Sequence, residues 1–219
     1  MSASIGGTEP LRLAVAKGSL FEPTLELLEE MGLDLTALRS DSRSLIFDLG
    51  EIQLITMRPS DVPTYIEAGA ADVGVTGKDV LVEQDDRRFY ELLDLGFGRC
   101  RMALAAPTQG ASLEDVVLRL GAMRIATKYP RTAIRHFEKS GRQVEIVEVK
   151  GSVEIAPLTG LADAIVDLVD TGRTLAENGL EIKEEISEST ARLVANQVSR
   201  VLRAREIDDL CEKLAASIR

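Results

Sequence analysis

Short, almost wholly apolar runs alternate along the chain with stretches in which apolar residues recur every third or fourth position. The first run, Leu11–Ala16 (LRLAVA), predicts a buried strand. Lys17-Gly18-Ser19 breaks it. Leu20, Leu25, Leu27, Leu28 and Met31 then fall on one face of a helix that Gly32 stops. Residues 45–47 and Ile52–Met57 read as two strands with Gly50 near the turn between them, a hairpin. Residues 102–106, 124–127, 144–149 and 191–196 are strand-like. Residues 112–120, 132–139 and 206–218 are helical, and Pro107-Thr108-Gln109-Gly110 is a breaker.

Two stretches share a pattern. Residues 68–81 (AGAADVGVTGKDVL) and 159–175 (TGLADAIVDLVDTGRTL) each follow a helix. Each holds a Gly, an Ala-Asp pair, a β-branched run and then Thr-Gly opening another helix. The second is three residues longer between Ala-Asp and Thr-Gly, and the pair reads as one unit used twice. Strands alternating with helices predict an α/β fold of two lobes with mainly parallel sheets, joined by two crossovers. That design resembles a type II periplasmic-binding-protein fold. The expected division is residues 1–105 with 190–219 in one lobe and 106–189 in the other, with the ligand cleft between them.

Composition narrows the picture. The 219 residues are 45% hydrophobic and 28% charged, enough for a real core, and aromatics are only 4%, so that core is aliphatic. A net charge of -10 argues against a nucleic-acid partner, because phosphate neutralisation by basic residues supplies most of that affinity. It makes the few cations in conspicuous loops more interesting. Two cysteines far apart, Cys100 and Cys211, do not form a disulfide framework. Residues 1–10 have no basic and apolar signal pattern and no apolar run is long enough for a membrane span, so the expectation is a soluble, cytoplasmic protein.

The strongest chemical signal is Asp167-Leu168-Val169-Asp170-Thr171-Gly172-Arg173-Thr174. An apolar strand delivers two acidic residues and then Thr-Gly-x-Thr into a helix start. Unpaired backbone N–H groups at such a start bind phosphate, Gly172 admits close backbone approach, and Thr171 and Thr174 add hydroxyls. Asp167 and Asp170 can hold ribose hydroxyls, directly or through Mg²⁺. Together these features predict a site for a sugar bearing a 5′-phosphate.

The run from Glu154 through Gly160-Leu161-Ala162, Ile165-Val166-Asp167-Leu168 and Thr171-Gly172-Arg173-Thr174-Leu175 resembles the signature of the ATP phosphoribosyltransferase family, without a departure. Other segments are similar to it too. These are Lys17-Gly18, Arg58-Pro59-Ser60-Asp61-Val62-Pro63, Ala71-Asp72-Val73-Gly74, Gly77-Lys78-Asp79-Val80-Leu81, Gly98-Arg99-Cys100-Arg101, Arg124-Ile125-Ala126-Thr127-Lys128-Tyr129-Pro130 and Asn178-Gly179-Leu180. The resemblance implies transfer of phosphoribosyl from phosphoribosyl pyrophosphate to N1 of the ATP adenine, the first step of histidine biosynthesis, with Mg²⁺.

It implies that Arg58 and Lys17 reach the pyrophosphate and Arg43 the ATP or phosphates. It also implies that Glu154, Gly77, Lys78, Asp79 and Cys100 line the substrate sites. The first lobe would carry the ATP side and the pyrophosphate arginines, the second the 5′-phosphate loop. The chain is similar to the short form, a catalytic subunit that works with a regulatory protein resembling histidyl-tRNA synthetase, as a homodimer within a hetero-oligomer.

Other signals carry less. Gly96-Phe97-Gly98 begins like a dinucleotide fingerprint, but Arg101 stands where the third Gly belongs. His136, the one histidine, is expected on a solvated helix face. Asp85-Asp86-Arg87-Arg88 reads as a solvated loop. The rival functions are a two-lobed solute-binding protein and a salvage-type phosphoribosyltransferase for a free base. The first gives no reason for the acidic Thr-Gly-x-Thr run, and the second resembles a differently spaced one.

Overall fold

The computed structural model describes residues 9–40, 43–109 and 112–218. The chain divides into two compact units, residues 1–98 with 190–219 and residues 99–189. The passage into the second unit falls at Gly98/Arg99, before the expected position near 105. The reason is that the next strand, residues 100–107, belongs wholly to the second sheet. Residues 1–8 of the terminal segment and Gly110 of the breaker lie outside the described residues.

The first unit opens with β1 (Leu11–Ala16), α1 (Phe21–Glu30), α2 (Thr36–Ser40), β2 (Ile46–Asp48), β3 (Ile52–Met57) and α3 (Val62–Glu67). It continues with β4 (Val73–Gly77), α4 (Lys78–Glu83) and β5 (Tyr90–Asp94). The second unit holds β6 (Cys100–Pro107), α5 (Leu113–Leu120), β7 (Met123–Thr127), α6 (Pro130–Lys139), β8 (Val144–Glu148), α7 (Ile155–Leu158), β9 (Ala164–Val169), α8 (Arg173–Glu177) and β10 (Leu180–Ser189). The chain then returns to the first unit as β11 (Ala191–Ala195), α9 (Gln197–Leu202) and α10 (Ala204–Ser217).

The sheets run β2-β3-β1-β4-β11-β5 and β10-β6-β9-β7-β8. They are mixed rather than mainly parallel. β1 pairs parallel with β3 and β4, and β7 with β8 and β9. The other five pairings are antiparallel. β2 is one arm of the expected hairpin. β6 and β11 are the first strands after the chain passes from one unit to the other, and each inserts antiparallel beside parallel strands.

The core sits where the sequence rhythm puts it. β1 and β4 are nearly all buried, as suits strands covered on both faces. On α10, Ile207, Leu210 and Leu214 recur at helical spacing and pack into the core of the first unit. Gly74 lies where β4 passes under α3: a Cβ there would sit 2.8 Å from Val62 Cγ1 and 3.1 Å from Ile66 Cδ1. Gly74→Ala is therefore expected to cost about 1–3 kcal/mol by overpacking, read as a lower melting temperature.

The repeated unit is real and extends beyond its two stretches. In the first unit the Arg12 backbone N–H donates to Asp72 Oδ2 at 2.9 Å. Its guanidinium donates to Oδ2 at 3.2 Å, to Oδ1 at 3.1 Å and to the Gly69 carbonyl at 3.0 Å. In the second unit Arg124 makes the same four bonds, to Asp163 Oδ2 at 2.8 and 3.3 Å, to Oδ1 at 2.9 Å and to the Gly160 carbonyl at 3.0 Å. Asp72 N–H returns a bond to the Arg12 carbonyl, and Asp163 N–H to that of Arg124. Both glycines are left-handed, at φ 69° and 74°. Each clamp fixes the strand entered from a helix, β4 or β9, beside its parallel neighbour, β1 or β7.

Candidate functional site

In open α/β sheets ligands collect beyond the carboxyl ends of parallel strands, near the point where successive connections diverge. Each unit has such an edge.

In the first unit, β3, β1 and β4 end side by side. Ala16 pairs with Met57, so Lys17 and Arg58 emerge next to each other, and the Lys17 N–H donates to the Met57 carbonyl at 2.8 Å. Both residues are exposed, and among the described residues neither side chain makes an ion pair or hydrogen bond. Lys17 and Ser44 line a cavity of about 510 Å³ that reaches Phe21, Phe47 and Thr56. Arg43, exposed, directly precedes Ser44.

β4 ends in Gly77-Lys78-Asp79. A Cβ on Gly77 would run into the Asp79 carboxylate, so this turn admits only glycine while Asp79 keeps its place. The Lys78 ammonium is 2.5 Å from Glu91 on β5. A separate cavity of about 310 Å³, between Leu11 and Ile52 at the amino ends of β1 and β3, holds none of the expected site residues.

In the second unit, Glu154 and residues 167–175 line a pocket of about 280 Å³. Thus Asp167, Asp170, Thr171, Gly172, Arg173, Thr174 and Glu154 come together, because α7 begins at Ile155, directly after Glu154, and packs on β9. Gly172 has φ 78°, a conformation that costs other residues energy, which accounts for glycine there. Thr171 Oγ1 accepts the Arg173 N–H at 3.4 Å. α8 is only five residues long, so the loop's own backbone contributes more to an anion than a helix dipole does. Arg173 leans outward, its Nε 3.2 Å from Glu177.

Asp167 is the buried member, with 8% of its side chain exposed. Oδ1 accepts the Leu168 N–H at 2.8 Å and Oδ2 lies 3.4 Å from Lys128 Nζ. Burial pushes its carboxyl above the usual carboxylate range, and the Lys128 charge pulls it part of the way back. The sequence places Lys128 in the family-like segment of residues 124–130 but assigns it no role at the site. Its signal is a cation placed directly after a strand, in Ala-Thr-Lys-Tyr-Pro.

Cys100 opens β6, half-buried and paired in register with Ser189; it and Cys211 are free thiols. His136 is not on a solvated face. Its side chain is 16% exposed, with Nε2 3.1 Å from Glu184, because β10 runs beside the end of α6 and brings a carboxylate to it. Arg87, in the loop expected to be solvated, bonds Glu67 at 2.9 Å.

Among the described residues no group of three or more His, Cys, Asp or Glu forms a metal cage. The oxygens of Asp167 and Asp170 suit a hard cation such as Mg²⁺ that arrives already bound to a ligand's phosphates.

Comparison with known proteins decides the family. The family described as ATP phosphoribosyltransferase matches residues 58–216. The chain belongs to the ATP phosphoribosyltransferase family. The ATP phosphoribosyltransferase of Rubrobacter xylanophilus is 54% identical over 201 residues, 91% of this chain and 93% of that protein. The ATP phosphoribosyl transferase (HisG:HisZ) complex from Thermotoga maritima superposes with a TM-score of 0.80 at 36% identity, over 95% of this chain and 98% of that one. The periplasmic aliphatic sulphonate binding protein SsuA from Escherichia coli gives 0.61 at 13% identity, over 96% of this chain and 72% of that one. That likeness concerns the fold, which is of the periplasmic-binding-protein type. Among the described residues no helix is long and apolar enough to cross a membrane.

Proposed function

We infer that this chain transfers phosphoribosyl from phosphoribosyl pyrophosphate to N1 of the ATP adenine, releasing pyrophosphate, as the first step of histidine biosynthesis. The observation that carries the reading is the pocket of Glu154 and residues 167–175, where a buried carboxylate, a second carboxylate and a Thr-Gly-x-Thr loop converge in a chain of this family. In the proposed roles Thr171, Gly172, Arg173 and Thr174 hold the 5′-phosphate, while Asp167, Asp170 and Glu154 hold the ribose hydroxyls. Arg58 and Lys17, exposed and without a side-chain partner among the described residues, take the pyrophosphate, and Arg43 the ATP or its phosphates. Gly77, Lys78, Asp79 and Cys100 border the nucleotide.

The adenine N1 lone pair forms the new bond to C1 of the sugar as the bond from C1 to pyrophosphate oxygen breaks. Positive charge develops on the sugar and negative charge on the leaving group. Cations at the pyrophosphate therefore matter more than a strong base. Arg58 suits this role because its fork grips phosphate oxygens in pairs. Mg²⁺ on the substrate supplies further charge neutralisation, with Asp167 and Asp170 as its protein oxygens. The proposed setting is the cytoplasm, as a homodimer within a hetero-oligomer with a regulatory subunit resembling histidyl-tRNA synthetase. The HisG:HisZ complex of Thermotoga maritima supports that partner.

The test is mass spectrometry of the chain with ATP, phosphoribosyl pyrophosphate, Mg²⁺ and inorganic pyrophosphatase. Phosphoribosyl-ATP is the expected product, from the chain alone or once the regulatory subunit is added. A folded chain that yields none in either case overturns the reading in favour of ligand capture without turnover.

A further inference from the structure

The second-unit pocket has a charge problem that its loop does not solve. Glu154, Asp167 and Asp170 bring three carboxylates to a pocket of about 280 Å³. Its one lining cation, Arg173, has a side chain 83% exposed and pairs with Glu177 on the outer face of α8. For a phosphate-bearing sugar entering such a pocket, a protein cation beside the carboxylates would add to the charge neutralisation that substrate-borne Mg²⁺ brings.

Lys128 is such a cation. Thr127 on β7 pairs in register with Val166 on β9, so the next residues, Lys128 and Asp167, are neighbours at the carboxyl edge. The 3.4 Å ion pair follows from that register. The turn that presents Lys128 is held: the Tyr129 N–H donates to Thr127 Oγ1 at 2.9 Å, and Pro130 opens α6 immediately after. The two ends of the pair differ in exposure, 39% for the lysine side chain and 8% for the aspartate. The ammonium thus stands between water and the buried carboxylate. An ammonium has three N–H donors. Asp167 faces it as an ion pair at 3.4 Å, and among the described residues Lys128 has no other side-chain partner.

We propose that Lys128 is a substrate-binding residue: its ammonium, anchored on Asp167, donates to a phosphate-group oxygen of the phosphoribosyl substrate. This rests on the reading above and adds to it a protein cation that helps an acidic pocket accept an anionic sugar. Lysine suits the position as a compact charge that shares its donors between carboxylate and phosphate.

The experiment is equilibrium binding by titration calorimetry on the full chain with Mg²⁺, using phosphoribosyl pyrophosphate and, separately, ATP. Lys128→Ala is measured beside Lys128→Met, which keeps the apolar stem, and Lys128→Arg, which keeps the charge. Loss of one charge-assisted hydrogen bond predicts phosphoribosyl pyrophosphate binding about 10- to 100-fold weaker in the first two variants. ATP binding should stay within about twofold and Lys128→Arg should recover most of the loss; some fall in melting temperature accompanies Lys128→Ala and Lys128→Met, because the buried Asp167 loses its cation. In turnover the KM for phosphoribosyl pyrophosphate should rise more than kcat falls. If Lys128 only braced the fold, both ligands would weaken together, which overturns the assignment. Unchanged phosphoribosyl pyrophosphate affinity in Lys128→Ala and Lys128→Met overturns it as well, while binding by the parent chain leaves the function standing. A parent chain that binds no phosphoribosyl pyrophosphate removes both.

Discussion

Arg58→Ala should lose about 10³-fold in kcat with Mg²⁺ present and keep its melting temperature. The two halves of that expectation have separate grounds. Arg58 follows β3 at the carboxyl edge of the sheet, is exposed, and makes no ion pair or hydrogen bond among the described residues, so removing its side chain leaves no partner stranded. In the proposed reaction it meets charge that grows on the departing pyrophosphate, an interaction stronger in the transition state than in the ground state, and such interactions set kcat. Arg58→Lys should recover only part of the loss, since an ammonium lacks the two-pronged grip. Steady-state kinetics beside a melting curve check both halves. A kcat near that of the parent chain would remove Arg58 from the reaction.

Asp72→Ala carries the largest expected loss of stability, about 3 kcal/mol, read as a melting temperature about 6–12 °C lower. Asp72 has 3% of its side chain exposed. It receives Arg12, Ser199 Oγ at 2.7 Å and Arg203 Nη1 at 3.2 Å, so one carboxylate joins β1, β4, α9 and α10. Burial pushes this carboxyl up, but the hydrogen bonds from Arg12 and Ser199 and the Arg12 charge outweigh it and hold it below the usual range. A depressed folded pKa means the unfolded chain binds the proton more readily. The contribution is therefore present above the unfolded value of about 3.9 and is lost as pH falls through the lower folded value. Melting curves from pH 7 down to pH 3 should show the gap between parent and Asp72→Ala narrowing in the acid range. A gap that stays constant would assign the loss to packing instead.

Legibility varied with how each element is buried. β1, β3, β4 and β9 are covered by other elements, so their composition alone announced them. β10 was not foreseen: it reads LEIKEEISES, buried only at Leu180 and Ser189, because it lies on a sheet edge where charged side chains are tolerated and discourage further pairing. β5, also an edge strand, and α9, whose Val198, Val201 and Leu202 are exposed, were missed for the same lack of a covered face. Strand direction was misjudged because alternation with helices carries no information about the strands that open a unit after the chain has passed into it. At the candidate site, the loop from Asp167 to Thr174 was legible since its residues are contiguous. Lys128 was not, because its meaning lies in the register of β7 against β9.

The twin clamps also bear on the order in which the chain can assemble. Arg124 and Asp163 are 39 positions apart, Arg12 and Asp72 are 60, a difference worth only about 0.4 kcal/mol in loop closure. Continuity separates the units far more. The second runs unbroken from Arg99 to Ser189, whereas the first needs β11, which lies between β4 and β5 in its sheet. At a ribosome adding about 5–20 residues per second, β4 and β5 wait roughly 5–20 s for the strand that separates them, while the whole second unit emerges and can close. Through that interval β4, buried in the finished sheet, waits with an unpaired apolar edge, an aggregation hazard that the continuous second unit is spared.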